Sequence, residues 1–165
     1  MTRRTLRLRL NGIEREVEIE DHVMLLEMVR TLGLTGAKLS CDMEVCGACT
    51  MLVDGRPVSS CTTLALEAEG KSLETIEGLA DGVKLHPLQQ AFIDSFAFQC
   101  GYCTPGMIMS AKALLDAKPR PDAGEVRHWM EGNICRCTGY ATIVDAVLDA
   151  SARMSEPVVN ESERS

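Results

Sequence analysis

Eight cysteines divide this 165-residue chain into two sets of four, and that division constrains the fold before any other feature does. The first set is Cys41, Cys46, Cys49 and Cys61, with four, two and eleven residues between successive members. The second joins Cys100 and Cys103 to Cys135 and Cys137, a C-x2-C and a C-x-C separated by 31 residues. No cysteine is left over. Four thiolates make up the ligand complement of one iron–sulfur cluster, and the C-x4-C-x2-C…C order is the plant-type spacing for a [2Fe–2S] centre. Each set needs segments that are distant in sequence to meet at one point.

Disulfides and zinc are the rival uses of so many thiols. Disulfides belong to oxidising compartments. The chain starts Met1-Thr2-Arg3-Arg4-Thr5-Leu6-Arg7-Leu8, where Leu and Arg alternate as in a strand, with no apolar run of the kind a secretory leader has. No stretch approaches the ~18 apolar residues of a membrane span. The expectation is a reduced, cytoplasmic setting with no integral membrane segment, in which clustered cysteines bind metal or do redox work. Zinc favours paired C-x2-C knuckles, which the first set lacks, so iron–sulfur leads and zinc stays as the alternative. A net charge of −7, from 17 Lys+Arg against 24 Asp+Glu, argues against a nucleic-acid partner.

The pattern between the cysteines predicts an α+β chain in two parts. All six aromatic residues lie between Phe92 and Tyr140, so the first half must build its core from aliphatic side chains. Residues 5–20 read as a hairpin about Asn11-Gly12, with a bulge expected near the turn because Glu14-Arg15-Glu16 interrupts the alternation. Asp21 is expected to cap a helix over Val23–Val29. After the cysteine loop come a strand at 50–53, an Asp54-Gly55 turn, a strand ending at Cys61 and a last strand at Leu73–Ile76. That order predicts an N-terminal β-grasp, plant-type [2Fe–2S] ferredoxin-like domain over residues 1–78. A linker at 79–85 follows. Four amphipathic helices are expected beyond it, at 87–97, from Thr104-Pro105, from Asp122 with Glu125 as its capping-box partner, and from Tyr140 onward. They predict a C-terminal four-helix-bundle [2Fe–2S] domain over 86–154, with a disordered tail at 155–165.

Local chemistry suits both sites to an anionic cluster. In Cys46-Gly47-Ala48-Cys49, Gly47 can take positive φ and Ala48 adds no bulk, so backbone N–H groups can turn toward the sulfurs. Cys100–Cys103 and Cys135–Cys137 each precede a helix start, whose free N–H groups and dipole favour negative charge. Two helix starts facing one another would hold such a cluster between them.

Gln99-Cys100-Gly101-Tyr102-Cys103-Thr104-Pro105-Gly106-Met107 and Cys135-Arg136-Cys137-Thr138-Gly139-Tyr140 resemble the signatures of the iron–sulfur subunit of molybdenum hydroxylases, the xanthine dehydrogenase, carbon monoxide dehydrogenase and aldehyde oxidoreductase family. Cys41-Asp42-Met43-Glu44-Val45-Cys46-Gly47-Ala48-Cys49-Thr50 and Cys61 are similar to the family's plant-type ferredoxin motif, and the resemblance spans about residues 5–150. It implies an electron-transfer subunit with two [2Fe–2S] clusters. Electrons would pass from a molybdopterin cofactor on a large partner subunit, through both clusters, to FAD on a medium subunit. It also implies that Gln99 and Cys137 contact the molybdopterin, that the assembly is a dimer of heterotrimers, and that catalysis belongs to the partners.

The remaining candidates have plain readings. Arg136 can raise a cluster's potential but reads first as an exposed arginine. His22, His86 and His128 read as surface or capping residues, and Met24, Met28 and Met107 as core. Met43 and Glu44 either face the flavin partner or are simply exposed. Two rival functions stay open: a free-standing soluble two-cluster ferredoxin-type carrier, against which the helical domain and its cluster count, and a zinc-binding interaction module.

Overall fold

A computed structural model of the chain describes residues 3–155. Strands β1 (Arg3–Leu10) and β2 (Ile13–Glu20) form the expected hairpin, with Asn11 and Gly12 at φ 50° and 80° as a two-residue primed turn requires. Leu6, Leu8 and Leu10 of β1 and Val17 and Ile19 of β2 are buried, while Arg7–Glu16 (2.8 Å) and Arg9–Glu14 (3.1 Å) pair on the outer face. The expected bulge is absent. Pairing runs unbroken from Arg3↔Glu20 to Leu10↔Ile13, and the interrupted alternation is instead an exposed Arg15 opposite Leu8.

Helix α1 (Leu25–Thr31) begins later than expected, and Asp21 does not cap it. The Asp21 carboxylate accepts from Arg4 Nε at 2.6 Å instead. The free amides of the first turn find backbone partners: Leu25 N donates to Thr63 O (2.8 Å) and Leu26 N to Ser60 O (3.0 Å), carbonyls that flank Cys61. Leu25, Leu26, Met28 and Val29 bury the inner face.

Strands β3 (Thr50–Val53) and β4 (Arg56–Ser59) follow the cysteine loop, joined by Asp54-Gly55 at φ 49° and 75°. A 3-10 turn at Ala65–Ala68 leads to β5 (Ser72–Glu74). This last strand ends before the expected Ile76 because the Thr75 amide donates to Asn11 Oδ1 (2.8 Å), and Ile76 opens a 3-10 turn. The five strands form one mixed sheet in the order β2-β1-β5-β3-β4, with β5 parallel to β1 and antiparallel to β3. Strands β2 and β4 are its edges.

Asp81–Lys84 closes a tight turn by reciprocal N–H···O bonds of 3.0 Å. Helices α2 (Pro87–Asp94), α3 (Thr104–Ala117), α4 (Ala123–Met130) and α5 (Ala141–Ser155) follow, completing an α+β architecture of one sheet and five α-helices among the described residues. Helix α2 stops short of residue 97: Phe96 adopts φ 49°, and Phe96 N and Ala97 N turn back onto Ile93 O and Phe92 O. Helix α3 has Cys103, not Thr104, at its N-cap position, with Pro105 in its first turn. Helix α4 has the expected capping box, Glu125 N to Asp122 Oδ1 and Asp122 N to Glu125 Oε2, both 2.9 Å. Helix α5 takes in Ser155, and the rest of the expected tail, 156–165, lies outside the described residues. No helix among the described residues is long and apolar enough to cross a membrane.

Three cores hold these elements. One lies under the sheet around Leu6, Met28, Met51 and Leu73, and another among the helices around Phe92, Met107, Leu114 and Val147. The third joins the two halves, with Leu52 of β3 packed against Met109 and Ala113 of α3 and flanked by Ile76 and Leu79. Lys112 Nζ lies 3.7 Å from Glu74 across the same junction.

His86 caps α2. Its Nδ1 accepts from Leu88 N at 3.2 Å, and its own N–H donates to Gln89 Oε1 at 3.0 Å. Burial, with the Lys112 ammonium adding to it, holds the imidazole below its usual 6.5. The capping form is the neutral one, so as pH falls the unfolded chain takes up this proton first. The contribution of His86 is full above about 6.5 and is lost as pH falls through the lower folded value. His86→Asn keeps a cap acceptor without titrating and should flatten the acid limb of urea midpoint against pH. His86→Ala should cost about 1 kcal/mol at neutral pH.

Candidate metal centres

Cys41, Cys46 and Cys49 occupy the loop between α1 and β3, and Cys61 follows β4. The loop turns its amides inward through three left-handed residues, Asp42 (φ 55°), Glu44 (61°) and Gly47 (68°). As a result Val45 N and Cys46 N both donate to Cys41 Sγ at 3.4 Å. The backbone amides of Met43, Val45 and Cys46 pull the Cys41 thiol down from 9.0 to about 6. Burial acts the other way on Cys49, which is pushed up to about 11. Gly47 meets the expectation of positive φ and has a second reason to be glycine. A Cβ there would collide with the Asn133 carboxamide and lie 2.7 Å from Gly132 O.

The second set sits where α3 and α5 begin. Cys103 is the N-cap residue of α3, and Cys135-Arg136-Cys137 precedes α5 by a turn in which Gly139 and Tyr140 both take φ 69°. Thr138 contributes two hydrogen bonds to Cys135 Sγ, from its hydroxyl at 3.0 Å and its amide at 3.4 Å. Burial raises Cys135, but the Thr138 donors, with the Cys137 amide and Cys103 adding to them, outweigh it and the net shift is downward. Cys103 is pushed up to about 12, by burial first and then by Cys135 beside it. The Tyr140 hydroxyl pins the loop, accepting from Cys135 N (2.9 Å) and donating to Asn133 O (3.1 Å). Gln99 Nε2 donates to Cys137 O at 3.0 Å, and Gln99, Cys100 and Cys137 are all exposed.

The two loops touch. Ile134 N, one residue before Cys135, donates to Cys46 O at 2.8 Å. Asn133 Nδ2 donates to Gly47 O at 2.9 Å and reaches Thr50 Oγ1 at 3.3 Å. The Tyr102 hydroxyl, between Cys100 and Cys103, donates to Leu39 O. Helix α3 presents Gly106 to the Gly47 carbonyl so closely that a Cβ at 106 would overlap that oxygen.

In the first set the thiols approach as two pairs, and in the second one pair meets. Cys41 is within hydrogen-bonding reach of Cys46, Cys49 of Cys61 and Cys103 of Cys135, and all eight are free thiols. Among the described residues no three His, Cys, Asp or Glu side chains converge as one metal ion requires. The paired thiols of the first set, and in both sets the N–H donors turned toward sulfur, fit four-thiolate centres of two irons.

Of the other candidates, Arg136 is exposed, as are His22 and His128, while His86 serves α2. Met43 is 66% exposed beside the first loop. Asn133 is the participant that pattern reasoning gave no role, and Thr138 and Tyr140, read as the start of the last helix, also hold Cys135. For Asn133 the one signal was its place two residues before Cys135, which does not say which loop a side chain will reach.

Residues 8–80 match the 2Fe-2S iron-sulfur cluster binding domain and residues 75–148 the [2Fe-2S] binding domain. The chain is 50% identical over 146 residues to the nicotine 6-hydroxylase small subunit of Paenarthrobacter nicotinovorans, covering 88% of each chain. It is 47% identical over 148 residues to the xanthine dehydrogenase iron-sulfur-binding subunit of Escherichia coli O157:H7, covering 88% of this chain and 92% of that one. The crystal structure of quinoline 2-oxidoreductase from Pseudomonas putida 86 contains a chain that superposes with TM-score 0.89 at 44% identity, over 95% of this chain and all of that one.

In metal-free protein the thiols should differ sharply in reactivity. Cys41, held at about 6, is a thiolate at neutral pH, whereas Cys49 at about 11 and Cys103 at about 12 stay protonated. Alkylation followed by peptide mass spectrometry across pH should label Cys41 with a midpoint near its lowered value and Cys49 and Cys103 only at strongly basic pH. Equal labelling of all three at neutral pH would contradict this geometry.

Proposed function

Given that the chain belongs to the iron–sulfur subunits of the molybdenum hydroxylase family, we propose that it relays electrons from a molybdopterin cofactor on a large partner subunit to FAD on a medium one, with no substrate chemistry of its own. Electron transfer is the part of this that family membership itself gives. Two [2Fe–2S] clusters, each exchanging one electron when bound, supply the redox chemistry. Cys41, Cys46, Cys49 and Cys61 hold one, in a ferredoxin-like β-grasp domain of residues 1–78. Cys100, Cys103, Cys135 and Cys137 hold the other, in a four-helix bundle of residues 86–154 reached through a linker at 79–85. The assembly is a cytoplasmic dimer of heterotrimers.

The observation that best supports this direction of flow is the exposed pair formed by Gln99 and Cys137 through their 3.0 Å hydrogen bond. The Gln99 carboxamide, anchored on the Cys137 carbonyl, keeps its second N–H and its Oε1 as a donor and an acceptor for a pterin edge. At the first loop, exposed Met43 and Val45 offer an apolar contact to a flavin subunit instead. The chain's own residues do the electrostatic work. Val45 N, Cys46 N and the Thr138 donors stabilise thiolate charge, and hydrogen bonds to cluster sulfur raise reduction potential.

The full chain should hold about four iron and four acid-labile sulfides and give two distinguishable paramagnetic signals on reduction. Cys137→Ser should remove one signal and spare the other; joint loss would count against two independent sites. Zinc without sulfide would end the reading. Expressed with its neighbouring genes, the chain should copurify with a molybdenum subunit and an FAD subunit, whereas an active free monomer would favour the soluble-carrier alternative.

A further inference from the structure

We propose that Asn133 is a positioning residue for electron transfer between the two clusters, its buried carboxamide holding one cysteine loop in register with the other. This rests on the relay reading above and adds to it the buried side chain that, alongside the Ile134 N–Cys46 O and Tyr102–Leu39 bonds, sets the relation between the stations. Asn133 belongs to the helical half and is 4% exposed, yet both hydrogen bonds of its Nδ2 go to the sheet half, to Gly47 O and Thr50 Oγ1. Gly47 lies between Cys46 and Cys49, and its carbonyl also accepts from Thr50 N (3.2 Å) and Thr50 Oγ1 (2.8 Å). On its own side Asn133 is fixed twice: its N–H donates to Met130 O (3.0 Å) and its carbonyl accepts from the Tyr140 hydroxyl, which also holds Cys135 N. One side chain thus ties the backbone of a first-set cysteine loop to that of a second-set loop.

The apolar junction cannot supply the same constraint. Leu52, Met109 and Ala113 bury area between the halves, but dispersion contacts are non-directional and tolerate sliding. A buried, satisfied hydrogen-bond network selects one arrangement. Each four-thiol set lies wholly within its own half, so loosening the clasp alters how the clusters face one another without removing a ligand. Tunnelling weakens exponentially with separation, so small displacements at this junction act directly on the rate. Asparagine is required here in place of aspartate, because an ionised carboxylate would set acceptor against acceptor at Gly47 O.

The test uses the full-length, cluster-loaded chain as parent, Asn133→Asp and Thr50→Val. Iron and sulfide are counted, spin–spin broadening is read by low-temperature paramagnetic resonance after dithionite reduction, and intercluster equilibration is timed after flash photoreduction with less than one electron per chain. Asn133→Asp should keep full iron and both signals, lose broadening and equilibrate up to about tenfold more slowly, the factor by which losing about 1.4 kcal/mol of clasp shifts the ratio of aligned to displaced arrangements. Thr50→Val keeps the Asn133 Nδ2 bond to Gly47 O but removes the Thr50 hydroxyl from both partners, and should slow equilibration by a smaller factor, which guards against misfolding of the first variant. Full clusters with parental broadening and rate in Asn133→Asp, or a parental rate in Thr50→Val should Asn133→Asp lose iron, would overturn the positioning role. Zinc in place of iron in the parent would instead overturn the relay reading, and this inference with it.

Discussion

One carbonyl oxygen, that of Gly47, accepts from three donors, and much of the architecture is arranged around it. To expose it at the right angle the loop must pass through positive φ, to make room for it the first turn of α3 must carry a glycine at 106, and to reach it the 132–134 segment must carry an amide side chain. Once those conditions hold, the first cysteine loop, the start of β3, the first turn of α3 and the approach to Cys135 are neighbours by necessity. The apolar junction around Leu52 then has a fixed partner surface on Met109 and Ala113. Buried polar groups are costly when unpaired, so an arrangement that pairs Gly47 O, Thr50 Oγ1 and Asn133 Nδ2 with one another resists alternatives.

The electrostatic design is economical in charged side chains. The chain is acidic overall, and within the two cysteine motifs Arg136 is the one cation. Compensation for thiolate charge comes from oriented N–H groups and from Thr138, while burial keeps Cys49 and Cys103 in the opposite regime. Each site therefore pairs a hydrogen-bonded sulfur with a desolvated one, and the two sulfurs experience different surroundings before any metal binds. Backbone donors suit this work because they are fixed by the fold and cannot swing away as a lysine can.

Where a feature depended on residues close in sequence, it was legible. Asn11-Gly12 and Asp54-Gly55 marked both hairpins, Asp122 and Glu125 marked a capping box, and Gly47 marked a left-handed bend. Where a long-range partner decided the outcome, local reasoning went astray. Asp21 has the right chemistry for a cap, but Arg4 claims it across the hairpin and carbonyls near Cys61 satisfy the helix instead. Helix α2 stops early because Phe96 takes a conformation that composition gave no reason to assign to a bulky residue. The thiols themselves were legible because a fixed count at a distinctive spacing has few other uses. Asn133 was not, since its partners lie more than eighty residues away.

The sheet's two rims set a condition on how such a chain can be assembled into something larger. Strand β2 carries Arg15 and a run of glutamates along its free side, and β4 is four residues long and interrupted by Pro57. Charges and proline on outermost strands discourage a neighbouring backbone from continuing the hydrogen-bond ladder. Association by strand addition is thereby disfavoured at both ends, whether with a partner subunit or with a misfolded copy. What remains available for docking are the loops and helix ends, the same places where the sulfurs come nearest to solvent.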